Sequence, residues 1–453
     1  KGISMGFSTT LGPNGWEPRD TQPQEYAAAV VGAAGAGIGA YASARPPIAM
    51  AVGDSQLDRT FLTTATENSL VGYGALNHAN MVLGQAWEWA ADADQAVIGD
   101  STDDVMARMA EIKGVACDIR FLSLGTNDIW GDLRTGDETI AGLAQVFDEL
   151  SDKPLIYIPV TPRAYIDANK VGYALQVNRW AAAQQAVRRN LIVVEKAVDA
   201  IIDPTSTQFV AAAGLLDGAV HWNNAGAAKV GAAVAARLSG LYPGRARLVA
   251  SAADAYPTNN ASNQLLPAPI LAGTTGGKTA TGGGTAPTGN VAAGFDVDHA
   301  VAGTGACACS LVARADGVGS DQRLQISGAA ANDRWTFRNT GNITQGVSPG
   351  EVLQALGDIR ISSHTNLTAV NLFIQAQVDG GSINYNQALR NSAVDAAYGA
   401  DFVGGIQRTL AAALPAGATI TALQLRVDVR FGSAGGSADV LIGRPTLWNL
   451  SRA

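Results

Sequence analysis

From Ile48 to about Leu241, short unbroken apolar runs alternate with stretches of helical period, and this pattern restricts the fold more than any other feature of the chain. The runs are Ile48–Val52, Ile119–Leu124, Leu155–Pro159 and Leu191–Glu195, with a weaker one before Gly99. Between them lie Asp103–Ile112, Glu138–Leu150, Val171–Arg188 and Ala225–Leu238, each with the spacing of a helix that buries one face. The strand-like runs do not alternate with polar residues, so both of their faces are expected to be buried. That predicts a parallel sheet covered by helices on either side, a three-layer α/β/α doubly wound (flavodoxin-like) domain over residues 46–250.

The pattern then changes. Residues 251–294 are rich in Gly, Thr, Pro and Asn, including Thr274-Thr275-Gly276-Gly277 and Thr281-Gly282-Gly283-Gly284-Thr285, and read as a linker. Beyond it the period is two: Leu423, Leu425, Val427, Val429 and Phe431 alternate with Gln424, Arg426, Asp428 and Arg430. Residues 295–453 are therefore expected to form an antiparallel β-sandwich or jelly roll. A chain of 453 residues has room for such a division. Residues 1–45 read as a Gly/Pro-punctuated lead-in, and the uncharged Ala27–Ala44 stretch as a packed helix and loop. Built from Ala and Gly, that stretch is too weakly apolar for a membrane span.

Charge and cysteine content exclude several classes. A formal net charge of −8 with no Lys/Arg run argues against nucleic acid as a partner. Cys117 reads as a small core residue, and Cys307 with Cys309 lacks the further ligands a metal site needs, so no metal is expected. His78, His299 and His364 have no chemical context in the sequence and read as structural.

Four blocks do carry chemistry. The first strand ends in Gly53-Asp54-Ser55, and the weak one leads to Gly99-Asp100-Ser101. Another run ends in Gly125-Thr126-Asn127-Asp128, and Asp217-Gly218-Ala219-Val220-His221-Trp222 precedes the last helical stretch. In an open parallel sheet, functional groups gather at the carboxyl ends of strands, so the topology would bring these blocks together. Ester chemistry needs residues of these types: a nucleophile, a base of near-neutral pKa, and donors for a developing oxyanion.

In that order the blocks resemble those of the SGNH/GDSL hydrolases, a family of serine esterases; the resemblance covers about residues 47–240. It extends to Val160-Thr161-Pro162-Arg163, and over Asn77–Thr102 it looks like members found in phage tail proteins and secreted carbohydrate esterases. The resemblance implies Ser55 as nucleophile, His221 as its base and Asp217 as the acid that orients the imidazole. It implies an oxyanion hole from the backbone N–H groups of Ser55 and Gly99 and the side-chain amide of Asn127. One departure stands out: three residues separate Asp217 from His221, where the family has two. Either a one-residue bulge absorbs the difference or a backbone carbonyl replaces the carboxylate. Trp130, Trp222 and Arg163 are candidate substrate contacts, each with an alternative structural reading.

The function expected is removal of small acyl groups, foremost O-acetyl, from a polysaccharide or cell-surface glycan, with no cofactor. The C-terminal sandwich resembles carbohydrate-binding modules. Two rivals are a lipase or lysophospholipase-like esterase, and a glycan-binding spike or fibre protein with little or no catalysis. The expected setting is extracellular or particle-associated, with a homo-oligomer or a virion component as possible assemblies.

Overall fold

The structure, a computed structural model, describes residues 45–165, 167–256, 263–301, 303–391 and 396–452. The expectation for Ala27–Ala44 lies outside these residues. The N-terminal domain is built on five parallel strands, β1 (Ile48–Gly53), β2 (Glu88–Ala96), β3 (Ile119–Ser123), β4 (Leu155–Ile158) and β5 (Leu191–Val193), in the order β2-β1-β3-β4-β5. Alternate residues of one strand feed two separate cores. Ala49 and Ala51 pack with Phe121, Ile156 and the helices Ala75–Val82 and Asn224–Leu238. Met50 and Val52 pack on the opposite face with Leu122, Tyr157 and the helices Gly136–Glu149 and Ala168–Gln184. Burial on both faces is why these strands read as continuous apolar runs. The doubly wound α/β/α architecture is thus present. The expected helix over Asp103–Ile112 is two short ones, Thr102–Ala107 and Met109–Gly114, divided at Arg108.

The C-terminal domain is a two-sheet sandwich. Its longer strands are β6 (Thr275–Thr279), β7 (Val291–Val301), β8 (Ala306–Ala313), β9 (Ser320–Ala329), β10 (Arg334–Asn339), β11 (Val352–Thr365), β12 (Leu367–Val378), β13 (Ser382–Gln387), β14 (Gly404–Arg408), β15 (Ile420–Phe431) and β16 (Gly436–Asn449). One sheet runs β6-β7-β10-β15-β12-β13; the other has β8-β9-β16-β11-β14 flanked by two short strands. Pairing is antiparallel except where β6 meets β7 and where Thr288–Gly289 meets β8. The alternating apolar residues Leu423, Leu425, Val427, Val429 and Phe431 all face the core shared with Leu324, Ile326, Val440 and Ile442.

The stretch 251–294 is more than a linker. Leu265, Leu266 and Leu271 are buried in the sandwich core, and Thr275–Thr279 is a strand. Some of its glycines mark close packing, and a Cβ on Gly276 would lie 2.3 Å from the Ala292 carbonyl oxygen. Docking onto the sandwich begins earlier still. Val249 donates to Thr446 Oγ1 at 3.1 Å, and its carbonyl accepts from Arg444 Nε at 2.6 Å.

The two domains share an extensive interface. Arg390 N donates to the Leu70 carbonyl at 2.7 Å and Tyr385 N to that of Thr66 at 2.9 Å, so the hairpin 61–70 lies against β13 and the chain just after it. Met81 joins the sandwich core, and His78 packs edge-on to Tyr398 and Phe402. Arg408, 6% exposed, reaches the Trp87 carbonyl and Glu88. No helix among the described residues is long and apolar enough to cross a membrane.

Candidate active site

β1 and β3 flank the point where the strand order reverses, and the blocks that carry Ser55 and Asn127 leave the sheet there. Gly53 ends β1 with φ +128°, pressed so closely on β3 that a Cβ would fall 1.9 Å from the Ser123 carbonyl oxygen. Only glycine fits there, and the sharp turn it permits starts a one-turn helix, Ser55–Asp58. Asp54 caps that helix, its Oδ1 accepting from Gln56 N at 3.0 Å. Its other oxygen is buried without a partner, and burial pushes the carboxyl up to about 7.

His221 arrives from the far end of the domain. Its Nε2 lies 2.9 Å from Ser55 Oγ, hydrogen-bond distance for proton transfer from the hydroxyl. The imidazole sits on a two-strand hairpin, Leu216–Asp217 against His221–Trp222, with Gly218 turning at φ +63°. Several contacts fix the hairpin. Gln56 Nε2 donates to the Val220 carbonyl at 2.9 Å, Asn223 caps the following helix through Gly226 N at 3.1 Å, and Trp222 is buried beneath. His221 is held below the ordinary imidazole range, first by burial and then by the nearby positive charge of Arg59. Asp217 acts in the opposite sense, and Arg163 lowers it further.

Asp217 stands directly opposite His221 in the hairpin register. Its carboxylate nevertheless turns away, pairing with Arg59 Nη1 at 2.9 Å, and its side chain is 62% exposed. Among the described residues the only hydrogen bond of the His221 ring is the one to Ser55. The extra residue therefore closes a three-residue turn that pairs the two residues across strands, where their side chains stand side by side, instead of bringing the carboxylate to Nδ1.

Gly99 occupies a turn beyond β2 at φ +91°, with open space where a Cβ would stand, so backbone conformation rather than crowding asks for glycine. Asn127 follows the left-handed Gly125 (φ +108°) at the end of β3. Its Nδ2 donates to the Asp100 carbonyl at 2.9 Å, tying the asparagine to the Gly99 turn. Asp128 is fully buried and holds the same turn from below, accepting from Thr102 N at 3.1 Å. The N–H groups of Ser55 and Gly99 find no acceptor among the described residues. Two unengaged N–H groups and a fixed side-chain amide are the donor types an oxyanion requires.

The candidate substrate contacts divide. Trp222, 1% exposed, is a core residue beneath the hairpin and does not line a cleft, because the strand alternation that turns His221 toward Ser55 turns its neighbour inward. Trp130 is half-buried and carries the Arg163 guanidinium 4.4 Å from its ring centroid. Arg59, Gln56 and Tyr165, which the sequence reading passed over, also contribute; Tyr165 accepts from Arg163 Nη1 at 2.9 Å. Among the described residues no group of three or more His, Cys, Asp or Glu side chains could hold a metal ion. Away from the site, His299 bonds Asp333 and stacks on Trp335, and Cys307 and Cys309 are buried and free.

No family model matches the chain, and no curated protein matches it. Solved structures do. A carbohydrate esterase family 3 protein from Talaromyces cellulolyticus is 16% identical over 43% of this chain and 97% of its own, with a TM-score of 0.32. A lipolytic protein of the G-D-S-L family from Veillonella parvula is also 16% identical, over 43% of this chain and 97% of its own, with a TM-score of 0.30. A carbohydrate-binding module of the β-sandwich superfamily is 13% identical over 39% of this chain and 62% of its own, with a TM-score of 0.26. In the order of its four sequence blocks the chain resembles SGNH/GDSL hydrolases, and its α/β domain is the part that carries them.

Proposed function

We propose that the protein is a serine esterase that removes small acyl groups, foremost O-acetyl, from a polysaccharide. The observation that carries this reading is the 2.9 Å contact between His221 Nε2 and Ser55 Oγ at the switch point of the sheet. Ser55 Oγ attacks the ester carbonyl carbon as His221 Nε2 takes its proton. The carbonyl oxygen, now negative, is met by the N–H groups of Ser55 and Gly99 and by Asn127 Nδ2. Collapse breaks the bond to the sugar oxygen, which leaves with the proton from Nε2, and an acetyl-serine remains. Water, deprotonated by the same imidazole, then releases acetate and restores Ser55. The polysaccharide half of the proposal assigns the sandwich a carbohydrate-binding role, in line with its sequence resemblance.

The test is acetate release from a panel of acetylated glycans together with 4-nitrophenyl acetate. Ser55→Ala is expected to abolish turnover of every substrate while leaving the circular dichroism spectrum unchanged. Turnover near the wild-type rate in Ser55→Ala would remove Ser55 from the mechanism.

A further inference from the structure

Arg163 is 8% exposed and yet has no carboxylate within ion-pair distance among the described residues. Several other arginines of this domain are treated differently. Arg120, fully buried, reaches Asp152; Arg59, Arg108, Arg134 and Arg188 each meet an aspartate. Of the guanidinium's five N–H donors, one is used among the described residues, on Tyr165 Oη at 2.9 Å. Nε is buried with no acceptor among those residues. The group is nonetheless held firmly. Its guanidinium carbon lies over the Trp130 ring, and its backbone carbonyl accepts from Ala211 N at 2.8 Å. The next residue, Ala164, donates to the Ala219 carbonyl at 3.0 Å, in the turn that carries His221. A desolvated cation with unspent donors is unfavourable by itself and becomes favourable when a planar or tetrahedral anion pairs with it.

We infer that Arg163 is an anion anchor: the acyl group this site removes lies on a glycan that bears a carboxylate, sulfate or phosphate close to the ester, and Arg163 pairs with that group. The inference rests on the esterase reading above and narrows its substrate to anionic polysaccharides. Guanidinium geometry suits bidentate recognition of such groups, and the Trp130 and Tyr165 rings beside it offer apolar contact to a sugar. The charged and titratable neighbours support the assignment. His221 faces Arg59, Asp217 and Arg163; Arg163 in turn faces His221, Asp54 and Tyr165. The unneutralised charge of Arg163 opposes formation of the imidazolium that the attack on the ester requires. An anion seated on Arg163 cancels that opposition, so the correct substrate gains in turnover as well as in binding.

The experiment compares the full chain with Arg163→Gln and Arg163→Lys on partly O-acetylated polygalacturonate and on neutral O-acetylated xylan. The wild type is expected to favour the anionic polymer by about tenfold or more in kcat/KM, a ratio that falls toward one in Arg163→Gln. Arg163→Lys, which keeps the charge and loses the planar fork, falls between. In the wild type the acid limb of kcat lies at higher pH for the anionic polymer than for the neutral one, and Arg163→Gln removes that difference. Should the glutamine variant fail to fold, added salt on the wild type serves instead: it lowers kcat/KM for polygalacturonate and spares xylan. Inhibition by galacturonate against galactose 6-sulfate and galactose 6-phosphate, with galactose as control, distinguishes the carboxylate from the other anions. A wild-type ratio near one, or a ratio unchanged in Arg163→Gln, overturns the inference and leaves the esterase reading standing. A folded wild type that hydrolyses neither polymer nor 4-nitrophenyl acetate overturns both.

Discussion

Asp217 faces His221 across a hairpin only two residues deep, but spends its carboxylate on Arg59 at 2.9 Å. The imidazole is then aligned by the hairpin backbone, Gln56 and Trp222, with the aspartate acting as a nearby charge. Asp217→Asn is accordingly expected to lower kcat by less than about tenfold, far short of the loss when a hydrogen-bonded triad acid is replaced. Because Asp217 raises the His221 pKa, its removal also moves the acid limb of kcat/KM to lower pH. A pH–rate profile on 4-nitrophenyl acetate measures both; a loss of several orders of magnitude would mean the carboxylate rotates onto Nδ1 during turnover.

Arg59→Gln is expected to act in the opposite direction. Its positive charge is the second cause, after burial, holding His221 below the ordinary imidazole range. Removing it makes protonation easier, so activity is lost at a higher pH as the solution is acidified. The same substitution frees Asp217, which reinforces the shift. Profiles for Arg59→Gln and Asp217→Asn displaced to the same side of wild type would overturn this electrostatic account.

Asn127→Ala is expected to reduce kcat about a hundredfold or more with a smaller change in KM, as for a donor used chiefly in the transition state. Because Asn127 Nδ2 also holds the Asp100 carbonyl, the Gly99 turn loses a tether in the same variant. Asn127→Asp separates the two roles poorly, since a carboxylate would repel both oxygens. Asn127→Gln, which keeps the amide on a longer arm, is the better companion, and partial recovery of kcat is expected.

Much of this was legible in the sequence, and the exceptions have physical causes. β1, β3, β4 and β5 are buried on both faces and so announced themselves as unbroken apolar runs. β2 sits at the sheet edge with one side toward water, and its sequence Glu-Trp-Ala-Ala-Asp-Ala-Asp-Gln-Ala gave only a weak signal. Thr275–Thr279 read as linker because Gly276 and Gly277 stand where a Cβ would collide with β7, which leaves no side-chain pattern. Ser55, Gly99, Asn127 and His221 were found through motif order, whereas Arg59 was not. Its pairing with Asp217 spans 158 residues and exists only once the hairpin has formed. The buried fate of Trp222 likewise depends on hairpin register, which no local pattern fixes.

Asp54→Asn is expected to make stability less sensitive to pH between acid and neutral. The folded-state carboxyl is raised to about 7 from an ordinary 3.8, chiefly by burial. A raised acid contributes stability that is fully present below its unfolded value and lost as pH rises through the folded one. The wild type should therefore weaken between about pH 4 and 7, by about 1.4 kcal/mol for each unit at most. Asparagine keeps the cap to Gln56 N without ever becoming charged. Urea unfolding at pH 5 and pH 8 should show the variant gaining on wild type at the higher pH by a few kcal/mol, on the order expected for a buried carboxylate. Equal differences at both pH values would mean that Asp54 is ionised throughout.

Cutting the chain near Tyr256 tests whether the α/β domain, which holds every chemical block, can stand without the sandwich. The blocks alone suggest that it can, but the interface argues otherwise. The cut would expose Met81 from the shared core, strip Tyr398 and Phe402 from His78, and leave the Trp87 carbonyl without Arg408. It also reaches the active site indirectly. Asn224, at the first turn of the helix that follows His221, donates to the carbonyls of Thr368 and Ala396 at 3.2 Å each. That helix packs on Ala75–Val82, so both helices beneath the hairpin lose support. The truncated chain is expected to be poorly soluble, or to melt well below the full chain and lose most of its esterase activity. Within the full chain, Arg408→Ala offers a milder form of the same test. It removes a buried hydrogen-bonded cation and should cost on the order of 2 kcal/mol or more in urea unfolding. A truncated chain with full activity and an unchanged melting temperature would show that the interface only joins two independent domains.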